Sequence, residues 1–596
     1  MSDIQSAVYS LDAGGIRQWL VRVTFAVVVL VVAILYLVTQ FRGLAHAEAM
    51  DYAQVARQIA TGQGFTTKFI RPVALAQLRE RQAQKAGIQQ PLGTGAGLNR
   101  PLGMDFQKIP DTINAPLYPL VLGLWMKLWP WGLVHPDKFE DQNQLREYKL
   151  DRWVAIFGMM CVMVTAFLLY SWAKRMFDIR VAYISVIVFF VSDLVWGFSI
   201  SGLSTSFLMM LFVGFCWCLH EAILAQGEGR KNAMWICLLG SAVLMGLMLL
   251  TRLTMVWVMV SYMLLVGYIF RKEKVLWPIA CAIVVLILTP WLVRNYQLTG
   301  SVMGANAFAV GANHPDYPGT TIYRSYIQLP PSTIWTNAAK QLREGVRHYV
   351  THFFVLTGGS VAAMFFVVGL MHPFKRVRAQ ALRWWLAGAV ILLAIGSSLA
   401  LPNPKMIDEY NQMAVLFPAM IVFGGAFFFV LLDRITNYLP IVRYTIISLY
   451  LAANSGAFVM TLLPPGEPPY RYPPYFPPIL QFMSQWFQKN ETIASDIPWA
   501  TAWYTQRSSV WLPKTLDDFY RINDFAQPLV AILFTPQTTN LGYLDVEKGE
   551  YKDWKMLIRR ENTPPGFPLQ KATFLPPNKD EYMLIADRIR WDVEVR

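Results

Sequence analysis

The chain has 596 residues, of which 55% are hydrophobic and only 15% are charged. Soluble proteins carry about 25% charged residues, so this composition, with a mean hydropathy of +0.35, excludes disordered and collagen-like chains and argues against a water-soluble protein. The net charge of +14 fits the basic loops of a membrane protein, and we expect no nucleic-acid partner. All five cysteines lie in apolar runs without a C-x-x-C motif, which indicates buried apolar residues rather than a disulfide framework.

Apolar runs long enough to cross a bilayer, which takes roughly 20 residues per helix, recur along the chain. The first covers about residues 23–39, and we expect it to be a retained helix rather than a cleaved signal. Ten further runs follow, near 153–171, 182–200, 205–223, 233–250, 254–270, 275–293, 348–370, 384–402, 413–432 and 444–463. The sequence therefore predicts an all-α polytopic membrane protein with about 11 transmembrane helices.

The basic residues are distributed unequally between the two sets of alternating loops. The short loops of one set hold 14 Lys and Arg residues, whereas those of the other set hold only Arg252 and Lys405. Because Lys and Arg accumulate in cytoplasmic loops, this bias predicts a cytoplasmic N-terminus in a bacterial-type inner or plasma membrane. Segments 40–150, 294–347 and 464–596 are then extracytoplasmic.

The domain organisation follows from these segments. We expect a transmembrane domain over 1–463 with outer loops 40–150 and 294–347, the second of which is long enough to close over a site as a lid. A linker with eight prolines follows at 464–478. Strand-like runs near 493–495, 510–512 and 529–534 predict a small extracytoplasmic α/β domain over 479–596.

The first outer loop begins with a helical pattern. Over residues 48–63, Tyr52, Val55, Ala56 and Ile59 follow the i, i+3, i+4, i+7 spacing of one apolar face. The pattern predicts a short helix on the outer surface of the membrane, with Asp51 near its start. Residues 78–100 show no periodicity and predict a mobile loop. The apolar run that ends at residue 134 predicts a re-entrant or interfacial helix.

Several motifs together resemble a known family. They are Asp51–Phe65 (DYAQVARQIATGQGF), Ala115–Pro119 (APLYP), Leu250–Arg252 (LTR), Thr289–Tyr296 (TPWLVRNY), Ser495–Trp499 (SDIPW) and Trp503–Tyr504 (WY). Their order is similar to that of polytopic glycosyltransferases of the C-type fold, which include protein O-mannosyltransferases and lipid A aminoarabinose transferases. The resemblance covers residues 20–300 and 410–513. It implies an enzyme that moves a sugar from a polyprenyl-phosphate donor to a lipid, glycan or protein acceptor on the outer face of the membrane.

The resemblance also implies roles for particular residues. Asp51 matches the catalytic acid that follows the first span in the family, although an Asp near a helix start is also a favoured N-cap. Guanidinium and ammonium groups bind phosphate, so the cations near the outer membrane surface are candidates for the donor phosphate, with lipid anchoring as the alternative. These cations are Arg252, Arg294, Lys68 and Arg71.

One position departs from the family pattern. Many members carry a second acid at the outer start of the span near residue 205, where this chain has Thr205. Either a site with a single acid operates, or Asp193, Asp111 or Glu48 takes the place of the second acid. No His, Cys and carboxylate residues have the spacing of metal ligands, and the need for a divalent cation stays open.

Two other functions compete with the enzyme. The first is a flippase or transporter of lipid-linked glycans, which is disfavoured because the spans are nearly free of the ionisable residues that transport pathways use. The second is a non-catalytic assembly factor with a degenerate glycosyltransferase fold, which Thr205 favours slightly. The expected partners of the enzyme are a polyprenyl-phosphate-linked sugar, the lipid bilayer and an acceptor of unknown class.

Overall fold

The protein consists of a bundle of apolar helices and a smaller sheet domain beside it. The computed structural model describes residues 15–87, 103–128, 148–311, 317–326, 338–373, 377–401, 404–435, 440–463, 477–561, 563–575 and 582–591. The predicted linker 464–478 lies outside these ranges except for its last two prolines.

The bundle is built from the long apolar runs and from three shorter helices that follow the first of them. In chain order its helices are α1 (Gly15–Gln40), α2 (Ala47–Ala60), α3 (Pro72–Lys85), α4 (Leu117–Met126), α5 (Lys149–Met176), α6 (Ile179–Phe190), α7 (Asp193–Ile200), α8 (Thr205–Gly227), α9 (Lys231–Thr251), α10 (Val256–Ile269), α11 (Leu276–Thr299), α12 (Ala338–Leu356), α13 (Val361–Gly369), α14 (Val377–Ala400), α15 (Pro404–Tyr410), α16 (Met413–Arg434) and α17 (Pro440–Leu462).

Among the described residues, eight helices are long and apolar enough to cross a membrane, namely α1, α5, α8, α9, α11, α14, α16 and α17. The bent pair α6 and α7, with an angle of 57° between its members, makes a ninth crossing if it is one span. These helices make the chain an integral membrane protein. The central helix is α16, whose side chains are buried along nearly its whole length.

The predicted number of 11 crossings is not confirmed by length and composition. Two of the predicted spans form shorter helices: the run near 254–270 gives the 14 residues of α10, and the run near 348–370 is divided between α12 and α13. The division falls at Gly358 and Gly359, which have φ values of +69° and +66°. Helical backbone cannot continue through this left-handed conformation.

Two expectations for the segment after α1 need correction. The stretch from residue 78, expected to be a loop, is helical as far as Lys85. Its Ala, Leu, Gln, Arg and Glu residues favour helix, and Pro72 occupies the first helical position. The helix α2 forms as predicted but does not lie on an exposed surface, because 11 of its residues are buried. With only ten residues, α4 is too short to span a bilayer, as the prediction of a re-entrant or interfacial helix requires.

The sheet domain contains a mixed sheet of six strands. In chain order the strands of the protein are β1 (Thr66–Thr67), β2 (Phe69–Ile70), β3 (Ile109–Pro110), β4 (Thr492–Ser495), β5 (Ser508–Trp511), β6 (Leu529–Phe534), β7 (Lys571–Leu575) and β8 (Tyr582–Ala586). The large sheet has the order β2-β5-β4-β6-β8-β7, and β1 pairs with β3 separately. The predicted strands near 493–495, 510–512 and 529–534 are confirmed.

Helices connect and cover these strands. They are α18 (Pro477–Met483), α19 (Pro498–Thr505), α20 (Leu516–Phe525), α21 (Pro536–Thr539), α22 (Tyr543–Lys548) and α23 (Lys555–Ile558). The strand β5 is parallel to β4 and to β2, with Phe69 opposite Ser509. The edge of the sheet is therefore contributed by the segment that follows α2, and this pairing fixes that segment against the C-terminal part of the chain.

A buried carboxylate joins the sheet domain to the helical bundle. Asp151, near the start of α5, accepts hydrogen bonds of 2.7 Å from the indole nitrogen of Trp503 and from the hydroxyl of Tyr504, both on α19. The backbone nitrogen of Leu44 lies 3.5 Å from the same carboxylate. Because these donors come from two distant parts of the chain, Asp151 holds α19 and the segment before α2 against α5.

Candidate active site

Asp51 lies inside the helix α2 rather than at its cap. His46 is the residue at the N-cap position, so Asp51 falls in the second turn. The side chain is fully buried, with 0% exposure. The interpretation of Asp51 as an N-cap is therefore wrong, and its carboxylate is available to groups outside its own helix.

Three side chains surround the Asp51 carboxylate. The guanidinium of Arg71, between β2 and α3, donates to Oδ2 at 2.7 Å. The amide of Asn114, in the turn before α4, donates to the same oxygen at 3.0 Å. The amide of Gln54, one turn along α2, donates to Oδ1 at 3.0 Å. A buried carboxylate with a guanidinium partner and two amide donors is held in one orientation.

A second carboxylate shares one of these donors. Asn114 also donates to Asp111 Oδ2 at 2.7 Å, while the backbone nitrogens of Ile113 and Asn114 donate to Asp111 Oδ1 at 2.8 and 3.2 Å. Burial raises the pKa of Asp111, and the negative charge of Asp51 raises it further. We call Asp51 and Asp111 the acid pair. Among the described residues, Asp51 has a direct guanidinium partner in Arg71 and Asp111 has none.

Arg294 supports the acid pair through backbone contacts. Its guanidinium donates to the carbonyl oxygen of Asp111 at 2.8 Å and to that of Phe65 at 3.2 Å. It also lies over the rings of Trp291 and Phe65, with centroid distances of 4.7 and 5.2 Å. Arg294, predicted to be a phosphate ligand, thus positions the loop that carries Asp111 against the loop that follows α2.

Arg252 lies in a neighbouring polar cluster. Its guanidinium donates to the hydroxyl of Ser204 at 2.8 Å and lies 3.4 Å from both the Tyr410 carbonyl oxygen and Gln412 Oε1. Ser204 directly precedes Thr205, the position at which the family resemblance led us to expect an acid. In this chain the side chain next to Arg252 is the Ser204 hydroxyl rather than a carboxylate.

Tyr410 lies between the acid pair and the polar cluster that contains Arg252. Burial raises the pKa of its hydroxyl, the charge of Glu48 adds to this rise, and the positive charges of Arg71 and Arg252 oppose it. Glu48 itself accepts a hydrogen bond from the hydroxyl of Tyr52. Glu48, Tyr410 and Arg252 therefore form one cluster, which adjoins the acid pair at Arg71.

Two further predicted site residues lie elsewhere. Asp193 accepts a hydrogen bond of 3.1 Å from the hydroxyl of Tyr36 on α1, and among the described residues no contact joins it to Asp51. The ammonium of Lys68 donates to the carbonyl oxygen of Gln506 at 2.6 Å. The sequence thus brought forward seven charged side chains besides Asp51. The structure places Arg71 in contact with Asp51, joins Asp111 to it through Asn114, and places Arg294 against the backbone of Asp111.

Sequence reasoning missed Asn114, Gln54 and Tyr410. The signal for Asn114 was present in the motif Pro110–Pro119, because an Asp and an Asn three residues apart in a turn often bind the same groups. Gln54 follows Asp51 by three residues on a helix, a spacing that places the two on one face. Nothing local in the sequence connects Tyr410 to Arg71.

Part of the predicted lid lies beside the acid pair. The 3₁₀ helix Gly304–Gly311 contacts the Asp111 loop, where Asn306 donates to the carbonyl oxygen of Ile113. Gly304 has a φ of +58°, and a Cβ there would meet the carbonyl oxygen of Thr112 at 2.2 Å. Only glycine fits this approach, so the 294–347 loop is fixed to the site at this point.

A small pocket opens next to the acid pair. It encloses about 250 Å³ of empty space, including open solvent, and its lining includes Thr67, Phe69, Arg71, Asp111 and Ile113. Within the described parts of the chain, no group of three or more His, Cys, Asp or Glu residues could hold a metal ion. A divalent cation would find the two carboxylates of the acid pair as protein ligands here.

The bundle and this polar site define a polytopic membrane protein whose charged groups meet beneath a sheet domain, and comparisons identify the type of fold. Residues 148–293 match the family model of dolichyl-phosphate-mannose-protein mannosyltransferases. No curated protein is significantly similar to the chain.

Solved structures share the fold over nearly the whole chain. ArnT from Cupriavidus metallidurans bound to undecaprenyl phosphate is 11% identical, with a TM-score of 0.54, over 95% of this chain and 98% of that chain. The archaeal oligosaccharyltransferase AglB from Archaeoglobus fulgidus, in complex with an inhibitory peptide and a dolichol-phosphate, is 10% identical, with a TM-score of 0.55, over 97% of this chain and 75% of that chain. The chain has the C-type fold of polytopic membrane glycosyltransferases, which confirms the predicted resemblance.

Proposed function

We propose that the protein is an integral membrane glycosyltransferase that transfers a sugar from a polyprenyl-phosphate donor to an acceptor on the extracytoplasmic face of the membrane. The observation that carries this proposal is the buried Asp51 carboxylate, held by Arg71 and joined through Asn114 to the second carboxylate, Asp111. The family match of residues 148–293 and the carrier lipids bound in the two similar structures support the donor class.

The acid pair can orient an acceptor hydroxyl and accept its proton. In the proposed reaction the acceptor oxygen attacks C1 of the sugar, the bond between C1 and the phosphate oxygen breaks, and its electron pair leaves with the polyprenyl phosphate. The hydroxyl proton passes to the acid pair. Single displacement inverts the configuration at C1. Asp51 orients the hydroxyl or takes its proton, and Asp111 is the second acid, since its raised pKa brings it closer to the range of an effective base.

The departing phosphate requires positive charge. Arg71 lies between Tyr410 and the acid pair, and Arg252 lies between Tyr410 and Ser204. We assign the donor phosphate to these two guanidinium groups, because guanidinium forms paired hydrogen bonds with phosphate oxygens. Arg294 acts indirectly, since its donors are engaged by the carbonyl oxygens of Asp111 and Phe65.

The orientation belongs to the proposal as well. The excess of Lys and Arg in one set of short loops predicts a cytoplasmic N-terminus. The strand β2, which follows α2, pairs with β5 of the sheet domain. The acid pair and the sheet domain then both face the extracytoplasmic side. Labelling of single cysteines introduced near Lys548 and near Lys272 tests this orientation, and only the first is expected to react with an impermeant reagent.

The experiment is a donor-turnover assay with the full chain in liposomes. A radiolabelled polyprenyl-phosphate sugar is supplied with envelope lipids and glycans, and both free polyprenyl phosphate and the labelled product are measured. We expect turnover by the native protein, its loss in Asp51→Asn, and near-native turnover in the matched control Asp193→Asn. Equal turnover by native protein and Asp51→Asn would contradict the mechanism. Movement of the donor across the bilayer without release of polyprenyl phosphate would establish the transporter instead.

A further inference from the structure

Three aromatic side chains of the sheet domain lie beside Arg71. They are Phe69 on β2, Trp511 at the end of β5, and Trp499 on α19. The ring centroid of Phe69 is 5.8 Å from that of Trp511 and 6.1 Å from that of Trp499, and the two indole rings meet edge to face at 5.8 Å. We call these three residues the aromatic wall.

The aromatic wall is partly open to ligands. Phe69 is buried, with 2% exposure, whereas Trp499 and Trp511 are only half-buried. Two other tryptophans of the same domain, Trp503 and Trp554, are fully buried. The sheet domain therefore buries tryptophan completely where the side chain serves its core, and it leaves part of both indole surfaces of the wall accessible.

The aromatic wall lies at the carboxyl edge of the parallel strands. The strands β2, β5, β4 and β6 run in the same direction. Trp511 is the last residue of β5, Arg71 directly follows β2, and Trp499 follows β4 at the start of α19. All three side chains therefore belong to one edge of the sheet.

The connections that leave this edge pass to opposite faces of the sheet. After β4 the chain enters α19, whose Ala500 packs into the core that the sheet shares with the bundle. After β5 it enters α20, whose Phe519 packs into the separate core on the other face. Adjacent parallel strands whose connections diverge in this way leave a crevice at their carboxyl ends, which is where open α/β sheets bind ligands.

This crevice adjoins the candidate active site. The guanidinium carbon of Arg71 lies 3.9 Å from the centroid of the Phe69 ring, and the same guanidinium donates to Asp51. The pocket beside the acid pair is lined by Phe69 as well as by Arg71 and Asp111. One aromatic ring thus separates the charged groups around Asp51 from the two indoles, so that a single ligand can contact both.

The chemistry of the aromatic wall suits a sugar ring. One face of a pyranose carries C–H groups, whose partial positive charge is attracted to the negative face of an indole. Its hydroxyl oxygens accept hydrogen bonds. The indole nitrogen of Trp511 is a buried donor without a partner among the described residues, whereas native proteins pair nearly all such donors. The wall therefore offers both an apolar surface and an unused donor.

The position of the aromatic wall distinguishes the acceptor from the donor. We assign the donor phosphate to Arg71 and Arg252, and Arg252 lies among residues of the bundle, next to Ser204 and Gln412. The prenyl chain of the donor stays in the apolar layer that the bundle spans. The wall belongs to the sheet domain instead, where a sugar can approach without entering that layer.

We propose that the aromatic wall is a subsite for a sugar ring of the acceptor, next to the hydroxyl that reacts at Asp51. The acceptor is then a glycan or a glycolipid rather than a protein. The assignment to the acceptor rests on the proposed function, whereas the binding of a sugar ring by the wall does not.

The test measures sugar binding without turnover. The full chain is labelled with 5-fluorotryptophan in phosphatidylcholine nanodiscs, and two resonances are assigned with the variants Trp499→Phe and Trp511→Phe. Maltose and chitobiose are the probes, and sorbitol, which has hydroxyl groups but no ring, is the control. We expect at least one disaccharide, and not sorbitol, to shift both resonances. The resonance of Trp591 should stay unchanged, because Arg590 beside it pairs with Glu491 at the opposite edge of β4.

A variant tests whether the indole contributes to binding. Trp511→Leu, followed at the Trp499 resonance, is expected to weaken disaccharide binding by about two- to tenfold, as for the loss of one aromatic contact. The matched variant Trp591→Leu is expected to leave binding unchanged. Equal weakening by both variants would overturn the proposal, as would the absence of shifts with both disaccharides or equal shifts with sorbitol.

Two competing ligands separate the remaining explanations. Shifts with the blocked tripeptide Ala-Ser-Ala and not with the disaccharides would overturn the proposal in favour of a peptide acceptor. Displacement of a disaccharide by polyprenyl-phosphate glucose, but not by polyprenyl phosphate, would overturn the assignment to the acceptor and place the donor sugar on the wall. Disaccharide binding by a protein that shows no donor turnover would refute the proposed function alone.

Discussion

Two buried aspartates near the junction of the bundle and the sheet domain have opposite surroundings. Asp151 is 1% exposed and accepts hydrogen bonds only from neutral groups, the side chains of Trp503 and Tyr504 and the Leu44 backbone. Asp51 is 0% exposed and has a guanidinium partner in Arg71. Burial alone therefore does not distinguish a carboxylate that holds the fold together from one that we propose to be catalytic.

The two aspartates also differ because Asp51 has a second carboxylate, that of Asp111, beside it. Asp111 shares the Asn114 amide with Asp51, and the two negative charges are close enough that Asp51 raises the pKa of Asp111. Such a pair opposes folding unless something else requires it. Asp151 has neither a charged partner nor a second acid within its hydrogen-bond network, and its donors hold separate parts of the chain together.

The largest effect is expected from a substitution that disables the proposed site and leaves the fold intact. Asp51→Asn should lower the rate of sugar transfer by about 10²–10⁴-fold, the usual contribution of a positioned acid or base. Asn keeps the shape of the side chain, so the midpoint of thermal unfolding should change little. The measurement is donor turnover, with thermal unfolding of the same preparation as the control. A drop in stability as large as the drop in turnover would assign Asp51 to the fold.

The opposite result is expected at Asp151. Asp151→Asn removes a charged acceptor from two hydrogen bonds and should lower the free energy of unfolding by about 1.5–3 kcal/mol. Turnover per folded molecule should remain within a few-fold of the native value. Unfolding in detergent, followed by Trp fluorescence, measures the stability. Unchanged stability with lost turnover would place Asp151 in the mechanism and erase the contrast between the two aspartates.

A smaller effect should distinguish the role of Arg252 from that of Arg294. Arg252→Ala should weaken donor binding by about tenfold, as expected for the loss of one charge-assisted contact with phosphate. Arg294→Ala should mainly lower stability, since Arg294 holds the carbonyl oxygens of Asp111 and Phe65. Titration of each variant with polyprenyl phosphate, followed by thermal shift, measures both quantities. The same loss of affinity in both variants would contradict the division of roles.

The smallest effect concerns pH. The pKa of Asp111 lies above its ordinary value of 3.8 in the folded protein, so the folded state binds more protons than the unfolded chain between these two values. Stability should therefore fall as the pH rises from 3.8 through the folded-state pKa, and Asp111→Asn should remove this dependence. Thermal unfolding between pH 4 and 8 measures it. Identical profiles for the native protein and the variant would show that Asp111 does not titrate in this way.

The sequence predicted those parts of the protein that local pattern encodes. Apolar runs revealed the long helices, and short strand-like runs in the tail revealed β4, β5 and β6. Asp51, Arg71 and Asp111 were candidates because the resemblance and the loop motifs marked them. Residues 78–85 were missed because polar side chains such as Arg79 and Glu80 are buried in α3, which conceals the usual amphipathic period.

The rest depends on contacts between distant residues. Arg252 meets Gln412 across 160 positions, and Lys68 meets Gln506 across 438. No window of 11–18 residues contains such a relation. This is why the sequence placed four cations at one phosphate, whereas the structure divides them among the acid pair, the Ser204 side and the carboxyl end of α19.

The pairing of β2 with β5 has a consequence for biosynthesis. The strand at residues 69–70 finds its partner only when residue 510 has been made, about 440 residues later. At 5–20 residues per second this takes roughly 20–90 s. During that interval the loop bearing Arg71 lacks its neighbouring strand, and the charged groups around Asp51 are not yet in place. We therefore expect the polar site around Asp51 to be completed only after the sheet domain has been synthesised.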